Sequence, residues 1–235
     1  MINLKNNFRI VLGSLSLFFV CLMTNSAAHA AVAKTTVVYF GQVAPTEFQE
    51  KVEPLFQERS RSCKGCVIVN HTPYKKTGEV DYAGLKKKIE SLPESTSFVF
   101  FDFNLKVNDQ NRALVEALNK RTANGLVVVG TAGLPPENEA SGPLSRTVLG
   151  QVNGAIIIGE LTERDRLPPT GFYGPEMLTA LRSPRNLMGQ GYSPLIFAAN
   201  LAQNWNKKDG TEWVEYLKNK KMKTRKLWLD MGDLF

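Results

Sequence analysis

Histidine is the scarcest of the chemically versatile residues in this chain, with two in 235 residues, His29 and His71. Cysteine is almost as scarce, at three. A structural zinc site draws four ligands from Cys, His and carboxylates. Cys63, Cys66 and His71 supply suitable types but no clear fourth, so neither a metal nor another cofactor is expected. Long apolar runs are lacking too. Ile10 to Met23 is the best of them, and it falls short of the ~20 residues a membrane-spanning helix needs. There is no internal repeat, no low-complexity tract, and no nucleic-acid motif or basic–aromatic repeat that would mark an RNA or DNA surface.

What the N-terminus does contain is a leader-like arrangement. Lys5 and Arg9 precede the apolar run, and Ala28-His29-Ala30 follows it as an A-x-A site. Residues 1–30 therefore read as a secretory signal peptide cut after Ala30. Cys21 is a poor lipid-attachment site, because Phe18-Phe19-Val20 stand before it where small residues belong. The expected mature chain has 205 residues and a formal charge of +5, exported to the periplasm or the medium. That length suits a single domain, 31–235, able to bury roughly 70% of the surface its unfolded chain exposes. The charge is too mild to define a partner. The basic run Lys218 to Lys226 is a solvated helix end and tail, or else a patch for an anionic polymer or lipid.

Only Cys63 and Cys66 survive leader removal. In an exported protein the pair Cys63-Lys64-Gly65-Cys66 is expected to close a small disulfide. A redox role is the alternative, but a reactive C-x-x-C opens a helix, whose N-terminus stabilises a thiolate. Here the pair precedes the strand Val67-Ile68-Val69.

Strand and helix signals alternate along the chain. Apolar runs predict strands at Thr36–Phe40, Cys66–Asn70, Phe98–Phe103, Leu126–Gly130 and Ala155–Gly159. Helical spacing of Phe48, Val52, Leu55 and Phe56 predicts a helix over Thr46–Glu58, with Pro54 kinking or shortening it. Further helices are predicted at Asp81–Leu92, with Asp81 as N-cap, at Asn108–Ala123, closed by Asn124-Gly125, and at Thr211–Lys220. The stretch from Ser193 to Trp205 is apolar nearly all round and should be a buried helix. Ser193 would be its N-cap and Pro194 its first helical residue. Thr131–Val152 and Arg164–Leu187 read as Gly/Pro-rich excursions. Alternation of this kind, with strands apolar throughout, predicts a three-layer α/β fold: a mostly parallel sheet with helices on both faces.

Three blocks in this order resemble the subtilisin-like serine proteases, over about residues 35–205. Asp81 to Gly133 carries the family's helix, strand, helix and glycine–valine strand, the last reading Gly125-Leu126-Val127-Val128-Val129-Gly130-Thr131-Ala132-Gly133. Gly154-Ala155-Ile156-Ile157-Ile158-Gly159 is similar to the next core strand. Tyr173-Gly174-Pro175-Glu176-Met177, followed by Met188 to Ala202, is similar to the family's Gly-Pro turn and its Gly-Thr-Ser-Met-Ala-x-Pro helix. The resemblance implies a subtilisin-like sheet with a trimmed N-terminal half.

The same resemblance locates what is missing. Counting back from Pro194, the nucleophile position falls on Gln190, with Gly189 or Gly191 one register away. The oxyanion-hole Asn, which would donate to developing negative charge, falls on Gly133. The strand that should end in the catalytic Asp reads Tyr39-Phe40-Gly41-Gln42, and the helix that should open with the catalytic His has Ala44-Pro45-Thr46. The family's Ser-Leu-Gly substrate edge becomes Asp102-Phe103-Asn104. The implied protein keeps the frame of a peptidase without its chemistry and binds a peptide or protein partner in the envelope or outside the cell. Asp102, Asn104, Gly133, Gln190 and Gly191 are the expected lining of the relic cleft, with no catalytic residue among them. The alternatives are an active serine-type hydrolase with a site of another kind, around Ser193 or Asp102, and a thiol–disulfide or metal role for Cys63 and Cys66.

Overall fold

The computed structural model describes residues 35–41, 43–71, 80–133, 141–182, 192–205 and 210–224. All of them belong to the compact unit Lys34–Phe235; the leader-like segment lies outside the described residues. Among the described residues six strands make one sheet: β1 (Thr36–Phe40), β2 (Val67–His71), β3 (Phe98–Phe101), β4 (Val127–Thr131), β5 (Ile156–Leu161) and β6 (Met177–Arg182). Their order is β2-β1-β3-β4-β5-β6, and every neighbouring pair is parallel.

Side chains of successive strand residues point to opposite faces, and this divides the core. On one face Val37, Tyr39, Phe98, Phe100, Val127 and Val129 meet the helical segment α1 (45–59), α4 (Tyr192–Gln203) and α5 (Gly210–Thr224). On the other, Val38, Phe40, Val99, Phe101 and Val128 meet α2 (Tyr82–Glu90) and α3 (Arg112–Ala123). All four residues of β3 are buried, as befits a central strand covered on both sides. The parallel α/β architecture follows the sequence pattern.

Local chemistry explains the boundaries. Asp81 caps α2 as expected, its carboxylate accepting from the Gly84 N–H at 2.9 Å. The third helix starts at Arg112 rather than Asn108. The Asn108 side chain accepts from the N–H groups of Gln110 and Asn111, and Asn111 Oδ1 accepts from the Asn108 N–H at 2.8 Å. These side-chain bonds hold 108–111 in a turn in competition with helix. The helix ends where Gly125 takes φ +88° and the Leu126 N–H reaches back to the Arg121 carbonyl at 3.0 Å, the left-handed stop that glycine permits.

Pro54 does not shorten α1. The segment runs from Pro45–Glu47 through a π-helical stretch, Phe48–Val52, into Glu53–Arg59. The Glu53 N–H bonds the Phe48 carbonyl, five residues back. Pro54 has no N–H to give to a carbonyl four residues back, and widening the preceding turn by one residue accommodates that loss.

Two further sequence expectations need correction. Met177–Arg182 is a strand, β6, not part of an irregular excursion. Five of its six residues are buried, and a register shift between Ile157 and Ile158 fits it onto β5. Ser193 is not an N-cap: Tyr192 is already helical, and Ser193 is 1% exposed with its hydroxyl facing Glu160 Oε1 at 3.5 Å. The all-round apolar character of α4 does reflect burial, since ten of its twelve residues are buried.

A polar pocket at the carboxyl end of β1 and β3

From β1 the chain crosses to β2 on one side through α1, while from β3 it crosses to β4 on the other side through α3. The two connections diverge and leave a crevice above the carboxyl ends of β1 and β3. Open parallel sheets hold ligands at such a switch point. A cavity of about 220 Å³ lies there, lined by Tyr39, Val43, Glu47, Lys51, Phe100, Asp102, Tyr192 and Leu195.

The floor is set by the strands. Tyr39 is 1% exposed, on the α1 and α4 face, with its ring against Phe48 and Phe100 at centroid distances of 5.3 and 5.8 Å. Asp102 continues β3, its N–H bonding the Phe40 carbonyl at 3.1 Å. Its half-buried carboxylate accepts the Tyr39 hydroxyl through Oδ2. Gly41 makes this possible: a Cβ there would run into the Tyr39 ring. Burial raises the Tyr39 phenol well above its ordinary range, and the charge and hydrogen bond of Asp102 push it the same way. The phenol therefore stays protonated and donates.

The walls come from two helices. Glu47 and Lys51 are one turn apart on α1 and pair at 3.1 Å. The Glu47 hydrogen bond and charge raise the Lys51 ammonium, keeping it charged at the pocket rim. Tyr192, the first described residue of α4, is raised chiefly by burial; Lys51 opposes the shift, while Glu47 and Asp102 add to it. The described lining thus holds two carboxylates, one ammonium and two phenols. Among these residues there is no Ser, Cys or His.

Of the residues singled out from sequence, Asp102 lines the pocket and two others stand elsewhere. Asn104 is 2% exposed and its amide is committed to structure. Its Nδ2 donates to the Ala132 carbonyl and to Thr147 Oγ1 at 3.2 and 3.0 Å, and its Oδ1 accepts from the N–H groups of Leu105 and Leu149, both at 3.1 Å. Gly133 packs on Asn104: at φ +77°, a Cβ would stand 3.0 Å from Asn104 Cβ. This pair joins the ends of β3 and β4 and does not line the cavity. Gln190 and Gly191 lie outside the described residues.

His71 ends β2 and stacks on Phe40 at 5.8 Å between centroids. It shares the α2 face with Phe40, so the sheet separates it from the pocket. Its imidazole is lowered by burial and by the charge of Lys88. Cys63 and Cys66 form a disulfide in the turn before β2, as their spacing predicts. Neither sulfur is a free thiolate there.

Sequence reasoning missed Tyr39, Glu47, Lys51 and Tyr192. The signals were present: the polar tip of Tyr39 beside the apolar residues Val37, Val38 and Phe40, the i,i+4 spacing of Glu47 and Lys51, and Gly41 directly after the strand. Placing them in one cavity requires strand order, which local sequence does not supply.

No protein-family profile matches the sequence. A CinA-like protein from Chlorobium luteolum is 32% identical over 139 residues, covering 51% of this chain and 32% of that protein, so the match spans about a third of the relative's length. The solved structures it resembles include a cold-adapted subtilisin-like serine proteinase, at TM-score 0.57 and 11% identity over 80% of this chain and 82% of that one. The self-cleaved protease domain of PatA superposes at TM-score 0.55 and 10% identity, covering 86% and 95%. A lanthipeptide protease does so at 0.55 and 8%, covering 79% of each. At such identities the likeness concerns architecture alone, and it gives this chain a subtilisin-like fold.

Proposed function

We propose that this is an exported protein of subtilisin-like fold that no longer cleaves peptides and instead binds a peptide or protein partner through the pocket at the β1/β3 switch point. One observation carries the reading. Where a serine peptidase gathers nucleophile, base and carboxylate, the described lining here presents Tyr39 bonded to Asp102 and Glu47 paired with Lys51. A serine-peptidase mechanism pairs a Ser hydroxyl with a His base, and neither residue type is among the described lining. In subtilisin itself, loss of the nucleophile costs about 10⁶ in turnover.

Export rests on the leader-like residues 1–30 and agrees with the Cys63–Cys66 disulfide, since such bonds persist in oxidising compartments. Mass analysis of the chain recovered from an envelope or medium fraction tests it; the expected N-terminus is Ala31. The binding claim is tested by capture of envelope peptides and proteins on the purified chain beside Asp102→Ala. A partner retained equally by both proteins contradicts the pocket reading.

A second reading has one observation in its favour. The Ser193 hydroxyl faces the Glu160 carboxylate at the start of α4, a serine–carboxylate contact three residues beyond Gln190, on which the resemblance places the nucleophile. Against it, Ser193 is 1% exposed and does not line the cavity. If Ser193→Ala removed an amidase or esterase activity from the purified chain, this reading would replace the first.

A further inference from the structure

We propose that the edge strand β2 is a strand-addition site for an extended peptide segment that carries a carboxylate side chain. This goes beyond the pocket reading and does not rest on it. Access, backbone direction and charge argue for it.

Among the described residues the sheet ends in β2 on one side and β6 on the other. Five of the six β6 residues are buried, so that edge is shielded. In β2 only Ile68 is buried. Val69, at 43% exposed, is one of two exposed large hydrophobic residues among those described.

The Val67 N–H bonds the carbonyl of Thr35, the residue before β1, at 2.9 Å. Backbone groups of successive strand residues point to opposite edges. Val67, Val69 and His71 therefore turn theirs to β1, while Ile68 and Asn70 turn theirs outward. Among the described residues no strand lies beyond β2 to meet them. An extended peptide satisfies such a ladder with its own N–H and C=O groups. Natural edges are blunted by charge, proline or a bulge. Val67-Ile68-Val69-Asn70-His71 holds no Lys, Arg, Asp, Glu or Pro, and its register on β1 is unbroken. Its β-branched residues suit pairing.

Side chains alternate between the faces of a strand. A peptide added here sets every second side chain beside Val67, Val69 and His71 on the α2 face. The charge felt there is positive, since burial and then Lys88 of α2 lower the His71 imidazole. A carboxylate on that face of the peptide is attracted to Lys88 and favours the imidazolium, whereas a cation is repelled. The formal charge of +5 on residues 31–235 acts in the same sense. It favours an acidic partner and opposes pairing of β2 with a second copy of this chain.

The test is an NMR titration of the full mature chain, read on the imidazole signals of His71, the single histidine of residues 31–235. The probe is the end-blocked peptide Thr-Val-Glu-Val-Thr. It is compared with its Gln and Lys analogues and with a form N-methylated at the Val and Glu residues, which cannot donate to the ladder. The Glu peptide is expected to bind saturably and to move the His71 titration to higher pH. The Gln analogue is expected to bind about threefold more weakly, the scale of an exposed ion pair, and the N-methylated form not to bind. Asn70→Pro removes an outward N–H and leaves the bonds to β1 in place; it is expected to abolish binding. Asn70→Ala keeps that N–H and is expected to bind as the parent chain does. If Asn70→Pro fails to fold, the N-methylated peptide still decides. Equal binding of the N-methylated and parent peptides, a Lys analogue that binds as well as the Glu peptide, or an unmoved His71 would overturn the inference. Shifts confined to the rings of Tyr39 and Tyr192 would place the peptide in the pocket, so this inference can fail while the pocket reading stands. Sedimentation of the free chain tests the other occupant. A dimer that Asn70→Pro converts to monomer would assign the edge to a second copy and overturn the peptide assignment.

Discussion

Tyr39 and Asp102 depend on each other in a way that single substitutions expose. The Tyr39 hydroxyl is buried and has the Asp102 carboxylate as acceptor. Removing one partner of such a pair costs the net bond plus the desolvation of what remains. Tyr39→Phe is expected to destabilise the chain by about 1–2 kcal/mol, measured by urea unfolding. Gly41→Ala acts on the same bond from outside, because the added methyl group displaces the Tyr39 ring. Its expected cost is about 1–3 kcal/mol from overpacking. His71 gives a pH signature. Burial and Lys88 lower its pKa from 6.5, so between the folded pKa and 6.5 the unfolded chain binds more protons. Stability then rises with pH through that window and falls as pH drops through it. His71→Phe is expected to flatten this slope in unfolding curves taken across the window. Asp102 was legible in the sequence as the first polar residue after an apolar strand. Tyr39 was not, because the face a strand residue presents depends on which helices cover that face.

At the scale of elements, the helices and the central strands were readable because their chemistry is local. Asp81 announces α2 by its side chain alone, and Asp81→Ala is expected to cost about 1 kcal/mol of stability through the lost cap, seen as a lower midpoint in thermal unfolding. β6 was not readable. Met177-Leu178-Thr179-Ala180-Leu181-Arg182 follows the turn Gly174-Pro175 and has few β-branched residues. It is a strand because β5 offers it a partner and the flanking helices bury it, a tertiary reason. The π-stretch of α1 is a similar case. Pro54 marks a disturbance in sequence, but only the fold shows that the turn before it is widened. Ser193 shows the converse error. A Ser-Pro pair at a helix start looks like a cap, yet the helix begins one residue earlier and the hydroxyl turns to Glu160.

For the whole molecule, the parallel six-stranded sheet and its subtilisin-like neighbours fit an architecture inferred from three blocks of sequence. Among the described residues only α1 stands between β1 and β2. The crevice above β1 and β3 is a product of strand order, and that is why residues far apart in sequence, such as Tyr39, Asp102 and Tyr192, share it. The disulfide closes only a short loop, which limits its chain-entropy contribution to about 2 kcal/mol. Cys63→Ser with Cys66→Ser is expected to lower stability by no more than that and to leave partner capture unchanged. Loss of capture in a folded double variant would shift attention to redox chemistry.

The central claim is that a peptidase frame survives here without a peptidase nucleophile. The most direct measurement is exposure of the purified mature chain to a fluorophosphonate probe, with an active subtilisin alongside, followed by peptide mapping. The account predicts labelling of the subtilisin serine and of no serine in this chain, Ser193 included. A stoichiometric phosphonate adduct on any serine of this chain would contradict it.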